Sequence, residues 1–206
     1  MAALNDKSIR ELIDSGIKIV DPFTEDNLQP ASIDLRLGNI SYEYHLKQYT
    51  LGDSIDEEED IIKKNFESKT IKNGESCFVG IYEKLYIPKN VIGLIMPRSS
   101  ISRLGIHIVP TYMNPGYNGH MPLTIINHTG IDVVIKPMLR VVQLILFPLS
   151  GMPDKIYSKS DGAKYHDDDV NPSMLHTDKE LHTIMDKILQ KETPILYKMI
   201  KSNGKH

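Results

Sequence analysis

At 206 residues, with 40% apolar and 25% charged side chains, the chain has ordinary globular composition and enough length for one core plus an appendage. A formal charge of −3 is wrong for a general nucleic-acid binder, and a single cysteine, Cys77, rules out an internal disulfide framework and fits a reducing compartment. The opening MAALNDKSIREL has no apolar leader core and no run approaches a membrane span, so a cytoplasmic protein that uses neither membrane nor nucleic acid is expected.

The first element expected is a short helix from Lys7 to Gly16, because Ile9, Leu12 and Ile13 share one face and Gly16 can end it. In QPASIDLRLG (Gln29 to Gly38), Ile33, Leu35 and Leu37 alternate with Ser32, Asp34 and Arg36, the period of a strand that stops on its glycine. The acidic run from Asp53 to Lys64 reads as a solvated loop or helix edge. From Glu75 onward SCFVGIY, VIGLIMP, IHIVPTY, MPLTIIN, IDVVI and RVVQLILF follow one another, β-branched and separated by Pro, Gly, Asn or Asp. Short strands with regular turn signals indicate a mostly β sandwich or barrel rather than βαβ units. Past Leu149 the chain turns polar, as a surface arm would. It ends in a helix whose Leu181, Ile184, Met185, Ile188 and Leu189 form one stripe, interrupted at Pro194.

Two segments hold the residues best suited to chemistry. PRSSISRLG (Pro97 to Gly105) crowds Arg98, Arg103, Ser99 and Ser100 at a strand end. Forked guanidinium donors and hydroxyls suit phosphate oxygens, and the same residues also serve as solvated strand-end charges. NPGYNG (Asn114 to Gly119) is a tight turn that pins Tyr117, either to stack on a sugar or base or to pack. There is no H-x-E or P-C-x-x-C for a zinc deaminase, no phosphate-binding glycine loop of the G-x-x-x-x-G-K type and no G-x-S-x-G. His107, His120 and His128 lie on or near the same strands and titrate in a useful range.

RSSxxRLG, then PGYxG, then LTIIN, in this order and spacing, resembles the dCTP deaminase/dUTPase family. ASIDLRLG, MLRVVQLILFPLSG and Tyr157 with GAKYH extend the resemblance over roughly residues 8 to 170. It implies a dUTPase-like distorted β-barrel or jelly roll over residues 1–173, with an arm from about 150 and a separate helical tail over 174–206. It also implies a homotrimer whose sites lie between subunits and whose ligand is a deoxypyrimidine triphosphate: dCTP, dUTP or dTTP. Mg²⁺ would be carried by the triphosphate. The implied phosphate ligands are Arg98, Ser99, Ser100, Arg103, Tyr157 and Lys164, with Gln143 and Tyr117 also at the site and Asp34 as a structural carboxylate.

The chain departs from that pattern where protons move. Thr124 stands where the deaminases carry a glutamate, and Asn114 where the dUTPases carry an aspartate. Neither a hydroxyl nor an amide acts as a general base near neutral pH. Asp168 replaces the arm glutamine and is a possible Mg²⁺ contact, and the hairpin between Arg103 and Asn114 is two residues short. His120, beside Gly119, is the candidate substitute base. The expectation is therefore a zinc-independent dCTP deaminase-like enzyme, with two alternatives: a nucleotide-binding protein without turnover, or a dUTP diphosphatase.

Overall fold

The computed structural model describes residues 2–51, 55–56, 58–158, 163–165, 173–175, 179–195 and 198–199. The chain forms two units, one made of Met1–Tyr44 with Ile62–Asn171 and the other of His45–Ile61 with Pro172–His206. The first holds helix α1 (Asp6–Asp14), with the Asn5 side chain accepting the Ser8 amide at 2.9 Å as its N-cap, and Ile9 fully buried. Strands follow as β1 (Val20–Asp21), β2 (Leu28–Gln29), β3 (Ser32–Tyr44), β4 (Ile61–Asn65), β5 (Lys69–Ile71), β6 (Ser76–Ile81), β7 (Lys84–Tyr86) and β8 (Val91–Pro97). A single helical turn, α2 (Ser99–Ser102), leads to β9 (Ile106–Ile108), β10 (Thr111–Met113), β11 (Asn118–Gly119), β12 (Pro122–Asn127), β13 (Val133–Ile135) and β14 (Arg140–Pro148).

The main sheet is antiparallel in the order β10-β8-β14-β3-β6-β12-β9, with β2 and β4 also paired to β3. Its two end strands, β9 and β10, are neighbours in the chain, separated only by Val109 and Pro110. The sheet must therefore curl until its edges meet, which makes the distorted barrel expected from the strand pattern. One face of each strand fills the barrel, with Ile33, Leu35, Ile95, Leu123, Ile125, Leu144 and Leu146 essentially inaccessible.

Two expectations are corrected here. IHIVPTY is not one strand: Pro110 has no amide to donate, and the chain leaves one end of the sheet there and re-enters at the other. The strand expected to stop at Gly38 continues to Tyr44. Gly38 instead marks a close approach of β3 to β6, since a Cβ there would lie 2.7 Å from the Gly80 carbonyl oxygen, within the register shift between Leu37 and Ser41.

In the second unit, Glu58 and Glu59 of the acidic run lie in a turn with exposed side chains, the Asp56 carboxylate accepting the Glu58 amide at 3.0 Å, whereas the end of the run, expected as loop or helix edge, is strand β4 from Ile61 because it pairs with β3. Helix α3 spans Lys179–Glu192, over the stripe read from the sequence. Among the described residues no helix is long and apolar enough to cross a membrane.

Candidate functional site

The segment after β8 starts from geometry that its own residues impose. Arg98, extended at φ −67° and ψ 140°, caps α2, and its carbonyl accepts the Ile101 and Ser102 amides at 2.9 and 3.1 Å. Arg103 closes the turn, its amide 3.0 Å from the Ser99 carbonyl oxygen. One turn leaves the Ser99 and Ser100 amides without intrahelical acceptors, and both serines and Arg103 are exposed. Hydroxyls, first-turn amides and a guanidinium on one exposed turn are groups able to receive phosphate oxygens.

Arg98 itself points to the sheet. Its Nε lies 3.4 Å from Oδ2 of Asp34, and its Nη1 donates to the Arg140 carbonyl at 3.3 Å. Arg140 reaches the same carboxylate oxygen at 3.6 Å and donates from Nη1 to the Asp26 carbonyl at 3.1 Å. Asp34 is 1% exposed, and its Oδ2 accepts no hydrogen bond. Burial pushes the Asp34 carboxyl above the ordinary carboxylate range, while Arg98 and then Arg140 pull it the other way. Gln143 sits across from Asp34 on β14 and from Met96 on β8.

The arm and the Asn114–Gly119 turn form a second cluster. The Tyr157 amide donates to the Pro115 carbonyl at 2.8 Å, and its ring lies 6.0 Å from that of Tyr117, tilted by 36°. The backbone passes so close that a Cβ on Gly116, whose φ is +86°, would be 3.2 Å from the Tyr157 carbonyl oxygen. The Tyr157 hydroxyl accepts the Tyr165 amide at 3.0 Å. Burial raises the Tyr157 phenol, opposed by the Tyr165 and Lys164 backbone and by the Lys164 charge. Tyr117 is buried, and Asn114 is exposed at the entry to the turn.

Thr124 is half-buried on β12, opposite Phe78 of β6, and its carbonyl accepts the Val109 amide at 3.0 Å. His120 lines a different feature, a cleft of ≈ 230 Å³ with Gly38, Asn39, Ile40, Gly80, Ile81 and Tyr82. None of Arg98, Arg103, Asn114, Thr124 and Lys164 lines that cleft. His107 is exposed opposite Ile126, and His128 is exposed beyond β12. Asp168 lies outside the described residues. Among the described residues, no three His, Cys, Asp or Glu side chains converge as metal ligands. Cys77 is buried with its thiol pushed up to about 11 by burial, which leaves it protonated and unreactive near neutral pH.

Sequence reasoning missed Arg140 and Glu83. Glu83 is 1% exposed and takes Arg36 Nε at 2.6 Å and the Arg36 amide at 2.9 Å. A lone acid inside the apolar run GIYEKLYI was the available signal, because such a residue survives burial only with a partner.

A family model described as dCTP deaminase-like matches residues 3–149. Among similar proteins, the "dCTP deaminase, dUMP-forming" of Nanoarchaeum equitans is 33% identical over 183 residues, covering 79% of this chain and 91% of its own length. The protein of the same description from Methanopyrus kandleri is 33% identical over 190 residues, with 86% and 98% covered. The 2′-deoxycytidine 5′-triphosphate deaminase of Agrobacterium tumefaciens shares the fold, with a TM-score of 0.56 and 24% identity over 70% of this chain. The match spans 47% of that solved chain.

Proposed function

Since the chain belongs to the dCTP deaminase-like family, we propose that it is a deoxypyrimidine-triphosphate enzyme that deaminates dCTP. Water adds at C4 of the cytosine, ammonia leaves, and the uracil nucleotide remains, without zinc. The relatives named above are described as dUMP-forming, so further hydrolysis of dUTP to dUMP and pyrophosphate belongs to the same proposal.

The observation that carries it is the α2 turn, which presents Ser99, Ser100 and Arg103 together at the surface directly after Arg98. In this reading these residues bind and orient the triphosphate, and Lys164 closes on it from the arm that Tyr157 ties down. Mg²⁺ enters with the triphosphate oxygens, to which it adds charge neutralisation; no cage of protein ligands is invoked. A homotrimer is supported by the outer face of β8 and β14, where Ile92, Leu94, Met96, Ile145 and Phe147 are only half-buried and Tyr112 of β10 is exposed. The cytoplasm, where a buried reduced cysteine and a nucleotide pool coexist, is the compartment this reading assigns.

A specific observation favours a second reading. Thr124 and Asn114 can hold a water by hydrogen bonds, but neither accepts its proton near neutral pH. His120, the candidate substitute base, lines a cleft that neither Thr124 nor Asn114 lines. A chain that keeps its phosphate donors but lacks a base would bind the nucleotide without turning it over. Incubation with dCTP or dUTP and Mg²⁺, with products resolved by anion exchange, separates these readings. Conversion of dCTP to dUTP or dUMP supports the enzyme. Conversion of dUTP alone makes it a diphosphatase, and intact nucleotide at high protein concentration leaves the binding protein.

A further inference from the structure

β3 and β6 lose register between Leu37 and Ser41. Leu37 pairs with Ile81 and Ser41 with Val79, so Gly38, Asn39 and Ile40 together face the single residue Gly80. A bulge of this kind leaves backbone donors and acceptors outside the ladder. The two strands carry no side chain at Gly38 and Gly80, and the cleft of ≈ 230 Å³ opens over them. Its wall is the next row of the sheet. The Tyr82 amide donates to the Arg36 carbonyl at 2.8 Å and the Ile81 amide to the Met121 carbonyl at 3.0 Å, which sets Arg36, Tyr82 and His120 side by side across the sheet. Arg36, anchored by Glu83 at 2.6 Å, lies 4.8 Å from the Tyr82 ring and backs it from one side, while Tyr82 as a whole is 42% exposed. His120 is half-buried and Asn39 exposed. None of the described residues lining the cleft is Asp, Glu, Lys or Arg.

We propose that this cleft binds an uncharged pyrimidine base or its nucleoside. Its size sets the first limit. A cavity of about 150 Å³ holds one benzene ring, and pockets for drug-sized ligands begin at about 300 Å³. The ≈ 230 Å³ here therefore takes one ring with a small substituent. Charge sets the second, because no forked cation lines the cleft to replace the water that phosphate oxygens would lose. Shape and polarity set the third. Tyr82, held by Arg36, offers its other face for stacking, while the bulge backbone, the Asn39 amide and the His120 imidazole offer donors and acceptors to a ring edge. A plain hydrocarbon ring would leave those groups unpaired, and an acyclic amide would leave the Tyr82 face uncovered. None of Arg98, Arg103, Asn114, Thr124 and Lys164 contributes to this cleft, so the inference does not rest on the proposed function.

The test is an NMR titration of the full-length protein with uracil, deoxyuridine and dUMP, following the imidazole resonances. The His120 signal is the one missing from His120→Gln. Uracil and deoxyuridine are expected to shift it, and dUMP to bind there no more tightly than deoxyuridine. Tyr82→Leu keeps bulk but removes the aromatic face, and is expected to weaken both ligands roughly tenfold or more, as for loss of one base–aromatic stack. Tyr82→Phe keeps the ring and is expected to retain binding. Asn39→Ala alters only an exposed side chain and is also expected to weaken binding, which keeps the inference testable if Tyr82→Leu folds poorly. A His120 signal that neither uracil nor deoxyuridine moves at millimolar concentration overturns the site. So does unchanged affinity in folded Tyr82→Leu or Asn39→Ala. Far tighter binding of dUMP than of deoxyuridine at this signal overturns the uncharged class.

Discussion

Two buried carboxylates, Asp34 on β3 and Glu83 just before β7, are each 1% exposed and each meets arginine, but they are held in opposite ways. Glu83 is saturated: one oxygen takes Arg36 Nε at 2.6 Å, the other the Arg36 amide at 2.9 Å, and the guanidinium lies 4.8 Å from the Tyr82 ring. Asp34 is shared by two guanidiniums at hydrogen-bond margins, with one oxygen lacking a donor. Tight pairing locks the approach of β3 to the β6–β7 connection, whereas the looser cluster leaves cationic edges facing solvent beside α2.

Breaking the tight pair should have the largest effect on stability. Glu83→Gln leaves the half-buried Arg36 without its counter-charge, a loss expected to cost up to about 3 kcal/mol and readable as a lowered denaturant midpoint. Asp34→Asn should behave differently, destabilising by about 1 kcal/mol or less, because burial already disfavours the charged form. Its effect should instead be weaker triphosphate binding. The pH dependence sharpens the contrast. With the folded Asp34 pKa raised, its contribution is fully present below the unfolded carboxylate value and declines as pH rises through the folded one, so Asp34→Asn should flatten that part of the stability profile.

Tyr157→Phe removes the acceptor of the Tyr165 amide and is expected to cost roughly 0.5–1.5 kcal/mol locally. Faster amide exchange at Tyr165, with the barrel strands unaffected, would confirm that the hydroxyl latches the arm. The smallest effect belongs to Glu43, held at about 2 by hydrogen bonds first from Lys64 and then from Lys69. Its contribution is present above the usual 4.5 and lost as pH falls towards about 2. Since the carboxylate is 32% exposed, screening should keep it under about 1 kcal/mol, measured as the difference from Glu43→Gln in acid titrations of stability.

Long strands were legible because their chemistry repeats. VIGLIMP, MPLTIIN and RVVQLILF are β-branched and apolar, and they became β8, β12 and β14. β4, β5 and β7 were not legible: IIKKN, KTI and KLY are short and half polar, and pairing with neighbours distant in sequence makes them strands. The role of Gly38 was hidden for the same reason, since its constraint is the Gly80 carbonyl on another strand. At the site, composition singled out Arg98, Ser99, Ser100 and Arg103, which one turn of helix holds together, and the resemblance made them phosphate ligands. It could not show that Arg98 turns inward to Asp34 or that Arg140 joins it, because those contacts cross 64 and 106 positions of chain (98 minus 34, 140 minus 34). Tyr157 was assigned to phosphate from the resemblance, but its ring and backbone also bind the arm to the Asn114–Gly119 turn, a contact that pattern does not encode.

Ammonia release from dCTP tests the central claim most directly, because deamination is the only step that frees it. The proposed function predicts ammonia in proportion to dCTP consumed, and its loss with Arg103→Ala, which removes the guanidinium at the end of α2. Wild-type protein that binds dCTP yet releases no ammonia would contradict the deaminase and leave the diphosphatase or the binding protein, with Thr124 as the reason.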